Sequence, residues 1–554
     1  MNGIRRGDAV AWVILAALLA AGLARAGALA WICDDAFISL RYAENLLAGH
    51  GLVYNPGERV EGITNLLWTL LLGLGIALGG SAPDVAHVLD LVAGSAALVA
   101  AFAFAGALLP PGRAWLAGLA PALLLAGPSF TSWSTAGLGT TLFVALVTAT
   151  FAAQASGRMG WATLGACLAT LTRPEGALTA AILMGFHLLW KHREGWRAWR
   201  EPALYALFLL LLTGFRLAYY GAPVPNTFYA KVGGIPVWHG LRHVGGFLEA
   251  GAAPLLVLAV VAVLRERRAW PAGAFVAAML AYVVSIGGDV FSLWRFLLAP
   301  LALLVGIALL GTVVAFALRA WLLAPAALLL ALSLSAYVFG RPAPALQLAL
   351  PTPRRVILER EWKSRCLFHN MASRYGVEFR DRADRGEPIQ LVAVGAVGAI
   401  GYYSELPILD IYGITDAHVA RKRGTPSHWY RPVPGHMRTN ADYVLSRRPD
   451  YLMIQDPNTP KRSANHPASA EISEHPDFQQ GYEKTKLAGL YRRKDLPPAT
   501  RERRFQDFWI QLVALVAECN VPAAKNDATT TPETRGVVKD NVWRTGLPGE
   551  PLTK

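Results

Sequence analysis

Two adjacent carboxylates, Asp34 and Asp35, open the most informative stretch of the sequence, Trp31 to Trp68 (WICDDAFISLRYAENLLAGHGLVYNPGERVEGITNLLW), which reads as a polar, solvent-compatible loop. They follow directly on a membrane-length apolar run, where an acid pair is costly unless something uses it. Transfer of a sugar with inversion needs one carboxylate to take the proton of the attacking hydroxyl. A phosphate leaving group needs no protonation, so the pair can divide the labour: one acid is the base, the other orients a group or binds a divalent cation. Helix capping competes, because Asp35 stands ahead of AFISLRYAENLL. Capping accounts for one Asp and not both, so Asp34 and Asp35 are the catalytic candidates.

Arg41, Tyr42 and Asn45 follow at helical spacing, facing the same pocket or forming the wet face of an interfacial helix. Arg59, Glu61 and Asn65 sit in a turn bent by Pro56-Gly57. A lipid phosphate wants such an Arg at the bilayer surface; ordinary charge anchoring is the alternative. In RLAYYGAPVPNTFYAKVG (216–233), Asn226, Tyr229 and Lys231 lie outside an apolar segment. Lys231 suits a phosphate and Tyr229 a sugar face, against the alternative of a Tyr/Lys interfacial belt. In GGDVFSLWRFL (287–297), Asp289 and Arg295 form either an ion pair closing the loop or a donor-headgroup site. The donor- and phosphate-binding candidates are therefore Arg41, Tyr42, Arg59, Glu61, Asn226, Tyr229, Lys231, Asp289 and Arg295.

Other groups read as structural. Arg173 and Glu175 flank Pro174 at a helix start. His239 and His243 have metal-compatible spacing but no third ligand nearby, so a surface helix is expected and no metal site. Gly395, Gly398 and Gly401 are spaced GxxGxxG, not GxGxxG, and no βαβ unit is expected after them, which rejects a dinucleotide site.

These residues need a membrane body to carry them. Of 554 residues, 54% are hydrophobic and 16% charged, against about 25% charged in soluble domains. The net charge of +14 points to topology signals and anionic headgroups. Arg and Lys are scattered through loops, which excludes a nucleic-acid patch. The four cysteines lie far apart and suggest neither a metal site nor a disulfide framework. The expected fold is a polytopic α-helical membrane protein of about 11–13 transmembrane helices, followed by a smaller α/β extracytoplasmic domain. Residues 1–340 form the membrane body with its outer loop 31–65, residues 341–500 the soluble domain, and 501–554 an amphipathic helix and disordered tail.

Arg5 and Arg6 precede the apolar run 9–32, read as a signal anchor although Ala28-Leu29-Ala30 imitates a cleavage site. The basic loops 191–200 and 265–268 belong in the cytoplasm. Asp34, Asp35, residues 221–249 and 288–294 and everything after 341 then lie outside. Counting crossings from the N-terminus gives the opposite parity, so one segment between 65 and 190 is re-entrant or one crossing is missing. In the soluble part, 354–375 reads as a helix, and 389–395, 451–455 and 486–494 as strands.

The stretch from Asp34 to Trp68 resembles the first outer loop of bacterial arabinofuranosyltransferases of the GT-C fold. YYGAPVPNTFYAK (219–231), the 287–300 stretch, GAIGYYSELPILDIYGITDAHVAR (398–421) and the region 434–453 are similar to the same family. The resemblance implies a polyprenyl-phosphate sugar donor, typically decaprenyl-phosphoryl arabinose, and a cell-envelope glycan or surface-protein acceptor. It implies a plasma-membrane location with the site and the C-terminal domain outside, and a catalytic Asp in the first outer loop. That base falls on Asp34, with Asp35 its neighbour. One departure stands out: residues 137–140 read Gly-Leu-Gly-Thr where the family often has Gly-Leu-Glu-Thr, so Gly139 replaces an acid. The other classes are a lipid or solute transporter, which wants midplane ionisable groups and repeated halves, and a non-catalytic envelope assembly protein.

Overall fold

The computed structural model describes residues 6–28, 31–231, 237–291, 293–339, 372–422, 435–454, 467–487 and 489–497. The helix expected over 354–375 is described only from 372, and the expected helix 503–519 and tail lie outside the described residues.

The apolar runs form a helical body: α1 (Arg6–Ala28), α2 (Asp34–Leu47), α3 (Leu66–Ala77), α4 (Ala82–Leu108), α5 (Leu119–Ala126), α6 (Pro128–Trp133), α7 (Thr140–Ala155), α8 (Met159–Thr172), α9 (Gly176–Lys191) and α10 (Arg200–Tyr220). Then come α11 (Asn226–Lys231), α12 (Val237–Phe247), α13 (Ala253–Arg265), α14 (Trp270–Ser285), α15 (Leu298–Leu318) and α16 (Leu323–Phe339). Among the described residues, five helical stretches are long and apolar enough to cross a membrane: Ala82–Leu108, Gly176–Tyr220, Val237–Arg265, Arg267–Ser285 and Arg295–Leu318. On α10, Leu204, Leu207, Leu210 and Leu211 point outward, as side chains facing lipid do. Helix α15, apolar all round, is buried without a break from Leu298 to Gly311 and forms the axis of the body.

Two ends can be told apart. At the basic end, Arg268 donates to the carbonyls of Ala107 (3.2 Å) and Leu108 (3.4 Å), and Arg113 to that of Val313 (3.4 Å), so α4, α13 and α15 finish together. At the opposite end, the Trp31 indole donates to Ser132 (2.9 Å) and the Trp133 indole to Leu293 (3.3 Å), joining the end of α1, α6 and the approach to α15.

The parity conflict is explained by α3. The Trp68 indole donates to the Gly137 carbonyl at 2.9 Å, and the Gly137 amide donates to the Asp90 carboxylate. Trp68 on α3 and Asp90 on α4 thus lie at one level, while Gly75 abuts Val85 further out. Helix α3 folds back along the first turns of α4 and does not run the length of the body. A second difference concerns residues 237–249, expected in an outer loop. They form α12, whose Gly240 packs on the Val284 backbone of α14. The helix expected at His239 and His243 is there, but it runs on into α13 as part of one apolar stretch, Val237–Arg265.

The C-terminal domain is a sheet of β1 (Val392–Val394), β2 (Ile408–Asp410), β3 (Tyr451–Met453), β4 (Tyr482–Lys484) and β5 (Leu490–Arg493), in the order β2-β1-β3-β5-β4. Strand β1 runs parallel to β2 and β3; β5 is antiparallel to β3 and β4. Between β1 and β2 lies a helix, Val397–Ser404, called the roof helix below. A βαβ unit therefore does contain the three glycines, against expectation.

Candidate active site

Helix α2 starts at the site end because Cys33, the residue before it, is pinned by its amide to the Ala136 carbonyl (2.9 Å). Two acids in the first turn suit the helix dipole, and Cys33 at the N-cap makes no side-chain cap. Asp34 instead caps the roof helix of the other domain: its two oxygens accept from the amides of Ala399 (2.8 Å) and Gly398 (3.3 Å). Burial pushes the Asp34 carboxyl up to about 7; the two amides pull the other way, and the Asp35 charge adds to the rise.

Asp35 bears on other groups. Its charge acts on Lys231 from α11 and on Arg295 at the head of α15. The Lys231 side chain touches solvent, yet burial by surrounding protein lowers its pKa. Asp35, Asp289, Arg295 and Arg173 are the charges that bear on Lys231, so these groups form one charged cluster. Arg295 is buried and held by Asp289 through two bonds of 3.0 and 3.1 Å, with the Phe291 ring 4.5 Å and the Phe296 ring 5.0 Å from its guanidinium carbon. Arg173 lies over the same Phe296 ring at 4.6 Å and is paired with Glu175 at 3.0 Å. The stretch read as structural, Arg173 and Glu175, thus also borders this charged cluster; a Pro-flanked acid–base pair between two apolar helices was the only signal for it. Asp34, Asp35, Lys231, Asp289, Arg295, Arg173 and Glu175 are the groups brought together.

Four of the candidates are spent on structure instead. Arg41 is buried, donating to the carbonyls of Tyr54 (2.8 Å), Leu406 (2.7 Å) and Gly401 and to the Asn55 side chain (3.2 Å). That leaves it no fork to offer a phosphate. The Tyr42 hydroxyl donates to Val60 and accepts from the Gly62 amide (2.7 Å). Glu61 is paired with Arg216 at 3.0 Å. Asn226 donates to the carbonyls of Gly413 (2.8 Å) and Ile414 (3.1 Å), tying α11 to the C-terminal domain. The stretch from Trp31 to Trp68 is therefore a buried joint between the two domains, not the polar loop its composition suggests. Arg59 is exposed and lies over the Tyr219 ring at 4.9 Å. Tyr229 carries Arg421 on its ring at 5.2 Å and accepts from Arg438 through its carbonyl at 3.0 Å.

The place of the missing acid is filled. Gly139 has φ +66°, and a Cβ there would lie 2.6 Å from the Trp68 ring. Asp90 holds the Gly-Leu-Gly-Thr turn from below through the Gly137 amide and the Thr141 hydroxyl (3.5 Å). The expected surface helix at His239 and His243 is α12, whose His243 abuts Gly288 beside Asp289. Among the described residues, no group of three or more His, Cys, Asp or Glu side chains is arranged to hold a metal ion.

Fold and site together define a polytopic membrane protein whose helical body ends in a cluster of charged side chains covered by an α/β domain. Residues 370–511 match a family described as a domain of unknown function (DUF8728). The chain is similar to the terminal beta-(1->2)-arabinofuranosyltransferase of Mycobacterium tuberculosis, 32% identical over 240 residues, covering 39% of this chain and 38% of that one. It is also similar to the enzyme of the same name from Corynebacterium glutamicum, 30% identical over 329 residues, covering 49% and 46%. The chain thus matches less than half the length of these curated relatives. The crystal structure of ArnT from Cupriavidus metallidurans bound to undecaprenyl phosphate aligns with a TM-score of 0.47 at 14% identity, covering 72% of this chain and 85% of that one.

Proposed function

We propose that the chain is an inverting membrane glycosyltransferase, taking a sugar, an arabinofuranosyl unit, from a polyprenyl-phosphate donor to an extracytoplasmic glycan or protein acceptor. The observation that carries this reading is the charged cluster at the end of the apolar helical body: Asp34, bonded to the roof helix, is followed by Asp35, whose charge bears on Lys231 and Arg295. The named relatives are arabinofuranosyltransferases, which supports the choice of sugar.

In the reaction, the acceptor hydroxyl oxygen bonds to the anomeric carbon as the bond from that carbon to the phosphate oxygen breaks. Asp34 takes the hydroxyl proton, and polyprenyl phosphate leaves with the bonding pair. A base titrating near the working pH suits this step, and burial brings Asp34 to about 7. Lys231, with Arg295 beside it, balances the phosphate charge. Asp35 holds Lys231 and Arg295 toward that position. Tyr229 offers a ring to the sugar. The lipid enters between apolar helices, and the basic loops at the far end keep the site outside the plasma membrane.

The test is transfer by purified protein in lipid from polyprenyl-phosphoryl arabinofuranose, following polyprenyl phosphate release with arabinan, other envelope glycans and pilin as acceptors. Release that depends on an acceptor supports the reading; turnover only of another lipid-linked sugar keeps the mechanism and removes arabinose; no turnover of any donor removes the function.

A further inference from the structure

The roof helix sits against the Asp34–Asp35 turn more tightly than domain packing requires. A Cβ on Gly398 would lie 1.9 Å from the Asp34 carbonyl oxygen, and one on Gly401 would lie 1.9 Å from the Tyr54 hydroxyl. Both ends of the roof helix are fastened to the outer segment. Tyr54 donates to the Val397 carbonyl at its start, and Arg41 to the Gly401 and Leu406 carbonyls toward and beyond its end. Next to it, the Asn55 side chain donates to the Ile408 carbonyl (2.8 Å) and accepts from the Ile408 amide (3.1 Å), extending the edge of β2. The amides of a helix start present partial positive charge, and the Asp34 carboxylate occupies that position.

We propose that the first turn of the roof helix is a working part of the site: Gly398 and Ala399 are positioning residues whose amides aim the Asp34 carboxylate, so Asp34 acts as a base only with the C-terminal domain docked. This inference rests on the reading of Asp34 as base. The strand–turn–helix arrangement that receives an anionic ligand in many α/β folds here receives the chain's own acid. The two amides stabilise the ionised carboxylate against burial. The titratable groups facing it are Asp35 on the same turn, Cys33 before it and Tyr54 from the outer segment. Undocking removes the two amides together with the burial that the roof helix supplies, so Asp34 loses its aim and no longer titrates where the docked carboxyl does.

The experiment compares wild type with Gly398→Ala as full-length proteins in lipid, using polyprenyl-phosphoryl arabinofuranose. The added methyl pushes the roof helix off Asp34. The expected result is a fall in kcat of about tenfold or more, a donor KM changed by less than about twofold, and an acid limb displaced from its wild-type midpoint. A merely structural role lowers the amount of folded enzyme and leaves the pH midpoint in place. Tyr54→Phe, which removes only the bond to Val397, gives the same signs at smaller size if Gly398→Ala does not fold. Unchanged kcat and pH midpoint in both variants overturn the proposal. Hydrogen exchange at the Gly398 and Ala399 amides separates it from the function reading. Faster exchange in Asp34→Ala supports the clamp even if no donor is turned over, and unchanged exchange overturns it.

Discussion

Asp34 and Ala399 lie 365 residues apart and are joined by a 2.8 Å hydrogen bond from the Ala399 amide to the Asp34 carboxylate. The bond makes the first acid of the outer segment the cap of a helix in the other domain. It also divides the pair: Asp34 is bonded to the roof helix, and the Asp35 charge bears on Lys231 and Arg295.

The pH dependence follows from burial. The Asp34 carboxyl is pushed up to about 7, so its base form is present above that pH and lost below it. Transfer is expected to fall about tenfold per pH unit on the acid side, with the limb centred near 7. A pH–kcat profile at saturating donor checks this; a limb near the usual carboxylate range contradicts it.

Lys231 and Arg295 are expected to differ when removed. Lys231 is solvent-accessible, so Lys231→Gln leaves the protein folded and raises the donor KM by roughly 10–100-fold, the worth of one charge-assisted hydrogen bond. Arg295→Gln strands the buried Asp289, and the main loss is folded protein. Donor titration and size-exclusion recovery of the two variants separate these outcomes.

Arg41 is a joint and not a phosphate ligand. Arg41→Leu removes its bonds to Tyr54, Gly401, Asn55 and Leu406 at once and costs on the order of 3 kcal/mol. Thermal unfolding in detergent is expected to drop, and the C-terminal domain to become protease-sensitive. Arg41→Lys recovers little, because a point ammonium cannot replace a planar fork.

Restoring an acid at Gly139 is expected to fail. The backbone there has φ +66° and the Trp68 ring fills the side-chain space, so Gly139→Glu costs about 2 kcal/mol in strain alone and adds no activity. Unfolding temperature and transfer rate of that variant check both halves.

The sequence was most readable where chemistry and hydropathy coincide. Asp34 and Asp35 stand out because acids beside an apolar run need a reason, and Lys231, Asp289 and Arg295 stand out on the same ground. Three of the five strands, β1, β3 and β5, were visible in the sequence; β2 (Ile-Leu-Asp) ends in a buried acid and β4 (Tyr-Glu-Lys) is mostly exposed and polar, so neither carries an apolar pattern. Missing β2 hid the βαβ unit, and with it the meaning of Gly398. Arg41, Tyr42 and Asn226 looked like site residues because the carbonyls they hold belong to segments far along the chain, or to a turn whose shape the local sequence does not declare. Helix α3 has the composition of a crossing segment, and only its contact with the start of α4 shows that it turns back.

The most direct measurement is the rate of sugar transfer from polyprenyl-phosphoryl arabinofuranose by wild type and Asp34→Asn, side by side in lipid, with folding of both verified. The account predicts acceptor-dependent release of polyprenyl phosphate by wild type and a loss of about 10²- to 10⁴-fold in the variant. A folded Asp34→Asn protein that transfers at the wild-type rate would contradict it.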